Sequence, residues 1–345
     1  MAKQLILASK QGDFDVVQRL LNEGINPDSA DTIDNPHIFS MTSLFDKTTP
    51  LIEASKNGHI EIVRLLLDKG AKPDETGSLS NNPPIIFACR NGHTEIVKLL
   101  LERGADPEST DTNNIPLICL ASQKGHLDVV QILIETKGVN IDSGNNVGIG
   151  KTPLMNAIER GHKNVVEYLL KRGASLIRET MYHDIPLTLA ANNNDANIFD
   201  IVYLASKSAG VDPKHENHLG LNVLTIASIY MNADIIEYLF LHNIFDLKDI
   251  AKTKSKIIQF TQSDLNARNK IYEHLDNLVN TILVLREKKM PEDLVKYTTS
   301  FHKNTPRTKR GGTRGTRKTR RTRKTRRTRR TRKTKHKYLH KKIYK

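Results

Sequence analysis

One phrase returns five times along the chain, and a sequence that repeats itself at this interval has few folds open to it. Thr49-Pro50-Leu51 leads to Asn57-Gly58-His59 and Leu65-Leu66-Leu67, and Pro83-Pro84-Ile85 leads to Asn91-Gly92-His93 and Leu99-Leu100-Leu101. Ile115-Pro116-Leu117 leads to Lys124-Gly125-His126, Thr152-Pro153-Leu154 to Arg160-Gly161-His162, and a fainter copy starts at Ile185-Pro186-Leu187. The glycines at 58, 92, 125 and 161 stand 34, 33 and 36 residues apart. A unit of that size cannot bury its own apolar face, so it must stack on copies of itself.

Each unit predicts two short helices. Thr49 and Thr152 are N-caps, followed by Pro50 and Pro153 at the first helical position, where the missing N–H costs nothing. Gly58 supplies the left-handed turn that ends the first helix, and a second begins near His59. In that second helix Ile62, Val63, Leu66 and Leu67 recur at spacings of three and four and predict a buried stripe. Glu61, Arg64 and Asp68 fall on the opposite side, facing water. The same register extends to residues 5–28, without the Thr-Pro start, and to residues 222–241, where Met231-Asn232 replaces Gly-His. Seven units result; the one at 185–204 is the most degenerate, with Asn194-Asp195 in place of Gly-His and two inserted residues.

This pattern closely resembles the ankyrin-repeat family, and the array with its basic tail resembles those of giant DNA viruses. The resemblance implies an all-α solenoid of about seven helix-turn-helix units over residues 1–245. Residues 246–260 and 264–288 read as two further helices, a C-terminal cap over residues 246–289, with Ile271, Leu275, Leu278, Ile282 and Leu285 as the apolar stripe of the second. The resemblance also implies a non-enzymatic scaffold that holds a protein partner on its concave face. By register the binding positions are the residue before the first-helix Ala and the second and third after it. Those are Glu53, Lys56 and Asn57; Phe87, Arg90 and Asn91; Gln123 and Lys124; Asn156, Glu159 and Arg160; and Ile226, Ile229 and Tyr230. Among these, Phe87, Arg90 and Tyr230 are of types that anchor interfaces.

Charge divides the chain sharply. Residues 303–345 hold 22 of the 53 Lys and Arg and no Asp or Glu, which leaves the rest with 31 against 38, a net charge of −7. A threonine stands at every third residue from Thr313 to Thr334. Such a segment buries nothing and repels itself, so residues 290–345 are expected to be disordered. Arg317, Arg320, Arg321, Arg323, Arg326, Arg327, Arg329, Arg330 and Arg332 are its polyanion-binding candidates, able to release counterions from nucleic acid without reading its sequence. A nuclear import signal, an acidic lipid surface and phosphorylation of the threonines are its other expected roles.

Other constellations have structural explanations. Cys89 and Cys119 form no C-x-x-C pair and are expected to be buried small hydrophobes. Equivalent histidines in neighbouring units lie about 8–10 Å apart, too far to share a metal, and the resemblance implies that they hydrogen-bond the turn. His215 and His218 lack metalloprotease spacing, and Gly144, Gly150 and Lys151 lack phosphate-loop spacing. No cofactor, metal or catalytic residue is therefore expected. Residues 30–47, with Ile38, Phe39, Met41, Leu44 and Phe45, exceed the loop a repeat needs and are expected to fold back on the first two repeats. Met290-Pro291-Glu292-Asp293-Leu294-Val295 faintly resembles the start of an F-box, which makes a ubiquitin-ligase adaptor the alternative function. No apolar stretch approaches the roughly 20 residues that span a bilayer, which predicts a monomeric intracellular protein of the cytoplasm or nucleus.

Overall fold

Residues 1–32, 47–77, 82–136, 138–144, 149–260 and 265–287 are described by the computed structural model. They belong to two compact units, Met1–Leu219 and Gly220–Lys345.

The first unit is a stack of helix pairs: α1 (Ala2–Gln11) with α2 (Phe14–Asn22), α3 (Pro50–Asn57) with α4 (Ile60–Asp68), and α5 (Pro84–Asn91) with α6 (Thr94–Glu102). Next come α7 (Leu117–Lys124) with α8 (Leu127–Glu135), α9 (Pro153–Arg160) with α10 (Lys163–Lys171), and α11 (Pro186–Asn192) with α12 (Ala196–Ser208). The first helices pack side by side in one layer, α1-α3-α5-α7-α9-α11, and the second helices in another, α2-α4-α6-α8-α10-α12. The second helix of the degenerate sixth unit, α12, has 13 residues against 9 in α2, α4, α6, α8 and α10, a longer extension than the two inserted residues of the sequence reading. Strands β1 (Asp31–Thr32) and β2 (Lys47–Thr48) pair antiparallel at the base of the long first connection, whose residues 33–46 lie outside the described region.

Thr49 and Thr152 cap as the sequence predicts, their hydroxyls accepting the N–H of Ile52 at 3.2 Å and of Met155 at 3.3 Å. Ala8, Ala54, Ala88, Ala121, Ala157 and Ala190 are all buried where first helices meet, and their small side chains let those helices approach closely. Ile62, Val63 and Leu66 bury the inner stripe of α4. Each such aliphatic side chain contributes about 1.5–3 kcal/mol by leaving water.

The histidines join one repeat to the one before it. His59 Nε2 donates to the Lys10 carbonyl at 3.1 Å, and His93, His126 and His162 do the same to Lys56, Arg90 and Gln123 at 3.2, 3.1 and 3.0 Å. Each acceptor lies two residues before the glycine of the preceding repeat. A carbonyl only accepts, so each ring carries its proton on Nε2. The expected bond to the turn is made to the turn of the preceding repeat, because the imidazole lies against the neighbouring glycine. At Gly92, where φ is +77°, an added Cβ would stand 2.6 Å from His126 Nδ1. In the sixth unit Asn193 takes over, its amide donating to the Ile158 carbonyl.

A second set of bonds runs through the loops that follow the second helices. Asp28 accepts the Lys72 N–H at 3.0 Å, Asp74 the Asp106 N–H at 3.2 Å, and Asp142 the Ser175 N–H at 2.9 Å. Burial raises the pKa of Asp74 above its ordinary value; the N–H of Asp106 opposes that shift and the Asp106 carboxylate adds to it.

In the second unit α13 (Val223–Ile229) and α14 (Ala233–Leu241), the seventh pair of the sequence reading, pack with α15 (Leu247–Phe260) and α16 (Leu265–Glu287). The helix α16 buries Ile271, Leu275 and Val279 and leaves Leu278 half-buried; each step of four turns the buried stripe about 40° further around the helix, so it drifts from the face that the four-three spacing marks. Lys254 Nζ meets Asp276 Oδ1 at 2.6 Å, and Tyr272 donates to the Lys254 carbonyl at 2.6 Å. No described helix is long and apolar enough to cross a membrane.

Two outcomes test these links. Gly92→Ala should destabilise the protein by about 1–2 kcal/mol from left-handed backbone alone, with a further loss from the His126 clash. In a double-mutant cycle, His126→Ala should cost less in the Gly92→Ala background than in the parent, as read by chemical denaturation. Asp74→Asn retains the acceptor and removes the charge. A raised folded-state pKa means that stability falls as pH rises through it, so the variant should melt higher than the parent at neutral pH, with the gap closing below the ordinary carboxyl pKa of 3.8.

Candidate protein-binding face

In α3, α5, α7 and α9 packing buries nearly all of the first helix, and what it leaves to solvent is concentrated in the last turn; α1 also exposes Lys3, Gln4 and Leu7. Lys56, Lys124 and Arg160 are exposed there, with Asn57 and Asn91 beside them. Lys56 Nζ stands 5.8 Å from the centroid of the half-buried Phe87 ring in the next repeat. That is within the range of a cation–π contact, which puts the two residues on a common surface. Asn91 Nδ2 donates to the Lys56 carbonyl at 2.7 Å, so two bonds from the following repeat hold the backbone at Lys56.

Several expected positions are occupied by structural work. Glu53 is only 6% exposed; one oxygen accepts the Thr48 hydroxyl at 3.1 Å and the other has no partner. Asn156 is 8% exposed and donates to the Thr152 carbonyl at 3.0 Å. Both side chains turn inward, so neither offers a surface. Glu159 accepts from Lys151 Nζ at 2.8 Å in a largely buried pair. Arg90 Nη2 meets Asp111 Oδ2 at 3.0 Å, and the other Asp111 oxygen accepts the N–H groups of Asn113 and Ile115 at 2.9 Å each. The buried Asp111 is thus neutralised by Arg90 and organises its own loop. Tyr230 is half-buried in the second unit, where Ile226 and Ile229 are buried.

One surface position was missed. Leu7 directly precedes Ala8, as Phe87 precedes Ala88, and it is 42% exposed in the first repeat with Lys10 and Gln11 exposed beside it. The Ala8 register carried that signal, although the unit lacks the Thr-Pro start. The Arg90–Asp111 pair had no such signal, since it joins residues of different repeats.

The remaining reactive types are occupied too. Cys119 donates to the Ser143 carbonyl at 3.0 Å, and burial pushes its pKa up to about 12. Burial raises the Cys89 thiol as well. In both, burial disfavours the thiolate that metal or redox chemistry needs. His215 Nε2 donates to the His183 carbonyl at 2.9 Å and His218 Nδ1 to the Tyr182 carbonyl at 2.8 Å, so His215 and His218 join one loop to the one before it. Among the described residues no group of His, Cys, Asp and Glu is placed to hold a metal ion. The nine candidate arginines from Arg317 to Arg332, the segment Met290 to Val295 and residues 145–148 lie outside the described residues.

Paired helices in two layers, joined by glycine-histidine contacts and loop carboxylates, define a stacked helical-repeat protein. A family model of ankyrin repeats in three copies matches residues 5–111 and again 85–180. The chain belongs to the ankyrin-repeat family, and the repeats make it a protein-interaction scaffold. It is similar to the crystal structure of the human ASB11 ankyrin repeat domain, with a TM-score of 0.53 and 26% identity over 65% of this chain and 90% of that one. No curated protein sequence matches it.

Truncating the two cations nearest Phe87 should separate structure from surface. Arg90→Ala leaves the Asp111 carboxylate short of its partner and should cost about 1–2 kcal/mol, the half-exposed arginine being partly screened. Lys56→Ala should change stability by no more than about 0.5 kcal/mol. Equal losses in urea denaturation would contradict the assignment.

Proposed function

We propose that the protein holds a partner protein on the first-helix face of residues 1–219, while residues 303–345 tether the complex to a polyanion. The observation that carries this reading is the strip on that face formed by exposed Leu7, Lys10, Lys56, Lys124 and Arg160 with the half-buried Phe87 among them. An aliphatic and an aromatic side chain among cations form the mixed apolar and charged surface on which protein interfaces are built.

The tail supports the second half by composition. Its 22 Lys and Arg without an acid give nonspecific attraction to nucleic acid, with a log–log salt slope of about −0.9 per phosphate contacted. The same charge suits the acidic surface of a nuclear import receptor, so attachment and localisation are two uses of one physical property.

Proximity labelling in cells separates the two halves. Full-length protein, a form lacking residues 303–345, and a Leu7→Glu/Phe87→Glu form should give three different neighbour sets. Loss of the tail should remove nucleic-acid neighbours or nuclear signal and keep the protein partners; the face variant should do the converse. An unchanged protein set in a folded face variant would rule out this face as the binding site.

A further inference from the structure

Cations at the ends of the two helix layers are used differently. At the second-helix ends several are committed to the previous repeat: Lys69 donates to Asn22 at 2.9 Å, Arg103 meets Asp68 at 2.7 Å and Arg172 meets Glu135 at 3.5 Å, while Lys171 and Lys207, in the last turns of α10 and α12, are exposed without an ion pair among the described residues. That layer also pairs its charges along single helices, Arg19 with Glu23 and Lys163 with Glu167. The first-helix layer does not. Its helices α1, α3, α5, α7 and α9 each carry a cation in the last turn, namely Lys10, Lys56, Arg90, Lys124 and Arg160. Of these only Arg90 is ion-paired among the described residues, and the other four are exposed.

General basicity does not explain the row, since residues 1–219 hold 21 Lys and Arg against 28 Asp and Glu. The helix C-terminus favours each cation by about 0.3–1 kcal/mol, which accounts for its presence and leaves its charge uncompensated. The row ends at α11, which has no basic residue in its last turn. Lys10, Lys56 and Arg90 stand two residues before their glycines, and Lys124 and Arg160 one residue before theirs, so the row shifts by one residue at the fourth repeat.

Packed helices lie about 8–10 Å apart. A peptide in the extended polyproline II conformation rises about 3.1 Å per residue with three residues per turn, so every third side chain of such a segment laid across the layer faces the same way, about 9.3 Å further on, and meets the next repeat. We propose that this row receives an extended acidic segment of a partner protein. Its carboxylates lie at every third residue over Lys10, Lys56, Lys124 and Arg160, and an apolar side chain lies over the central slot, where Asp111 neutralises Arg90 and Phe87 lines the surface. The inference rests on the binding reading above and names the chemistry of the partner. The chain's own residues 303–345 have the same sign as the row and are excluded as its occupant by charge.

Two thirteen-residue peptides test this on the full-length protein by fluorescence anisotropy at about 0.15 M salt. One carries glutamates at positions 1, 4, 10 and 13 with leucine at 7; the other has the same composition with the glutamates in one block. The basic tail sees equal charge in both, so a preference reports on spacing. The spaced peptide should bind at least about tenfold tighter. Lys10→Gln/Lys56→Gln/Lys124→Gln/Arg160→Gln should abolish the preference in a protein that stays folded, its melting temperature lowered only by the loss of the four helix-end charges. The matched variant Arg64→Gln/Lys98→Gln/Lys171→Gln/Lys207→Gln, on the second-helix layer, should keep it. Equal binding of the two peptides, or a preference that survives in the row variant, overturns the proposal. If the spaced peptide shows no preference while Leu7→Glu/Phe87→Glu still strips partners from the protein, the acidic chemistry fails and the scaffold reading stands.

Discussion

The contact between a glycine and the histidine of the following repeat is the constraint on which the stack depends. Gly12, Gly58, Gly92 and Gly125 end their first helices in left-handed backbone, and each lies under the imidazole of the next unit. The ring can lie there because no Cβ intervenes, and once there its Nε2 reaches a carbonyl at the end of the same helix. One residue thus ends a helix, sets the distance to the next unit and satisfies a carbonyl that the helix leaves without an intrahelical partner. A unit with two helices of 8 and 9 residues, such as α3 and α4, could not persist alone.

That arrangement determines where binding is possible. Close packing of the alanines consumes most of each first helix and leaves its last turn as the usable surface, so the row of end cations is a consequence of the packing scheme. The second-helix layer has the same charge types and spends several of them on neighbouring repeats or within its own helices. Similar local composition therefore gives one face held together by its charges and another with charge to offer. The degenerate sixth unit keeps a bond between repeats through Asn193 but loses the cation, which shows that stacking and surface chemistry vary independently.

The loops add a second connection. Asp28, Asp74 and Asp142 accept N–H groups from the following loop, so loops joined to separate helix pairs are held in register. The raised pKa of Asp74 reflects first its partial burial and then the nearby Asp106 carboxylate. Asp111 resolves a similar problem differently, with an arginine from the preceding first helix.

The sequence by itself determined the repeat length, the helix pairs, the Thr caps and the buried stripes. All of these depend on residues within one unit, so periodicity and capping chemistry suffice to read them. Only the tertiary structure decided what passes between units: that His126 reaches Arg90, that Arg90 is committed to Asp111, that Glu53 and Asn156 turn inward, and that Leu7 stays in solvent. It also placed α13 and α14 in a unit with α15 and α16, and chose Val279 over Leu278 for the buried face of α16. The physical reason is that a repeat pattern specifies which positions are equivalent, whereas each position's surroundings come from the neighbouring unit, whose side chains differ from one copy to the next.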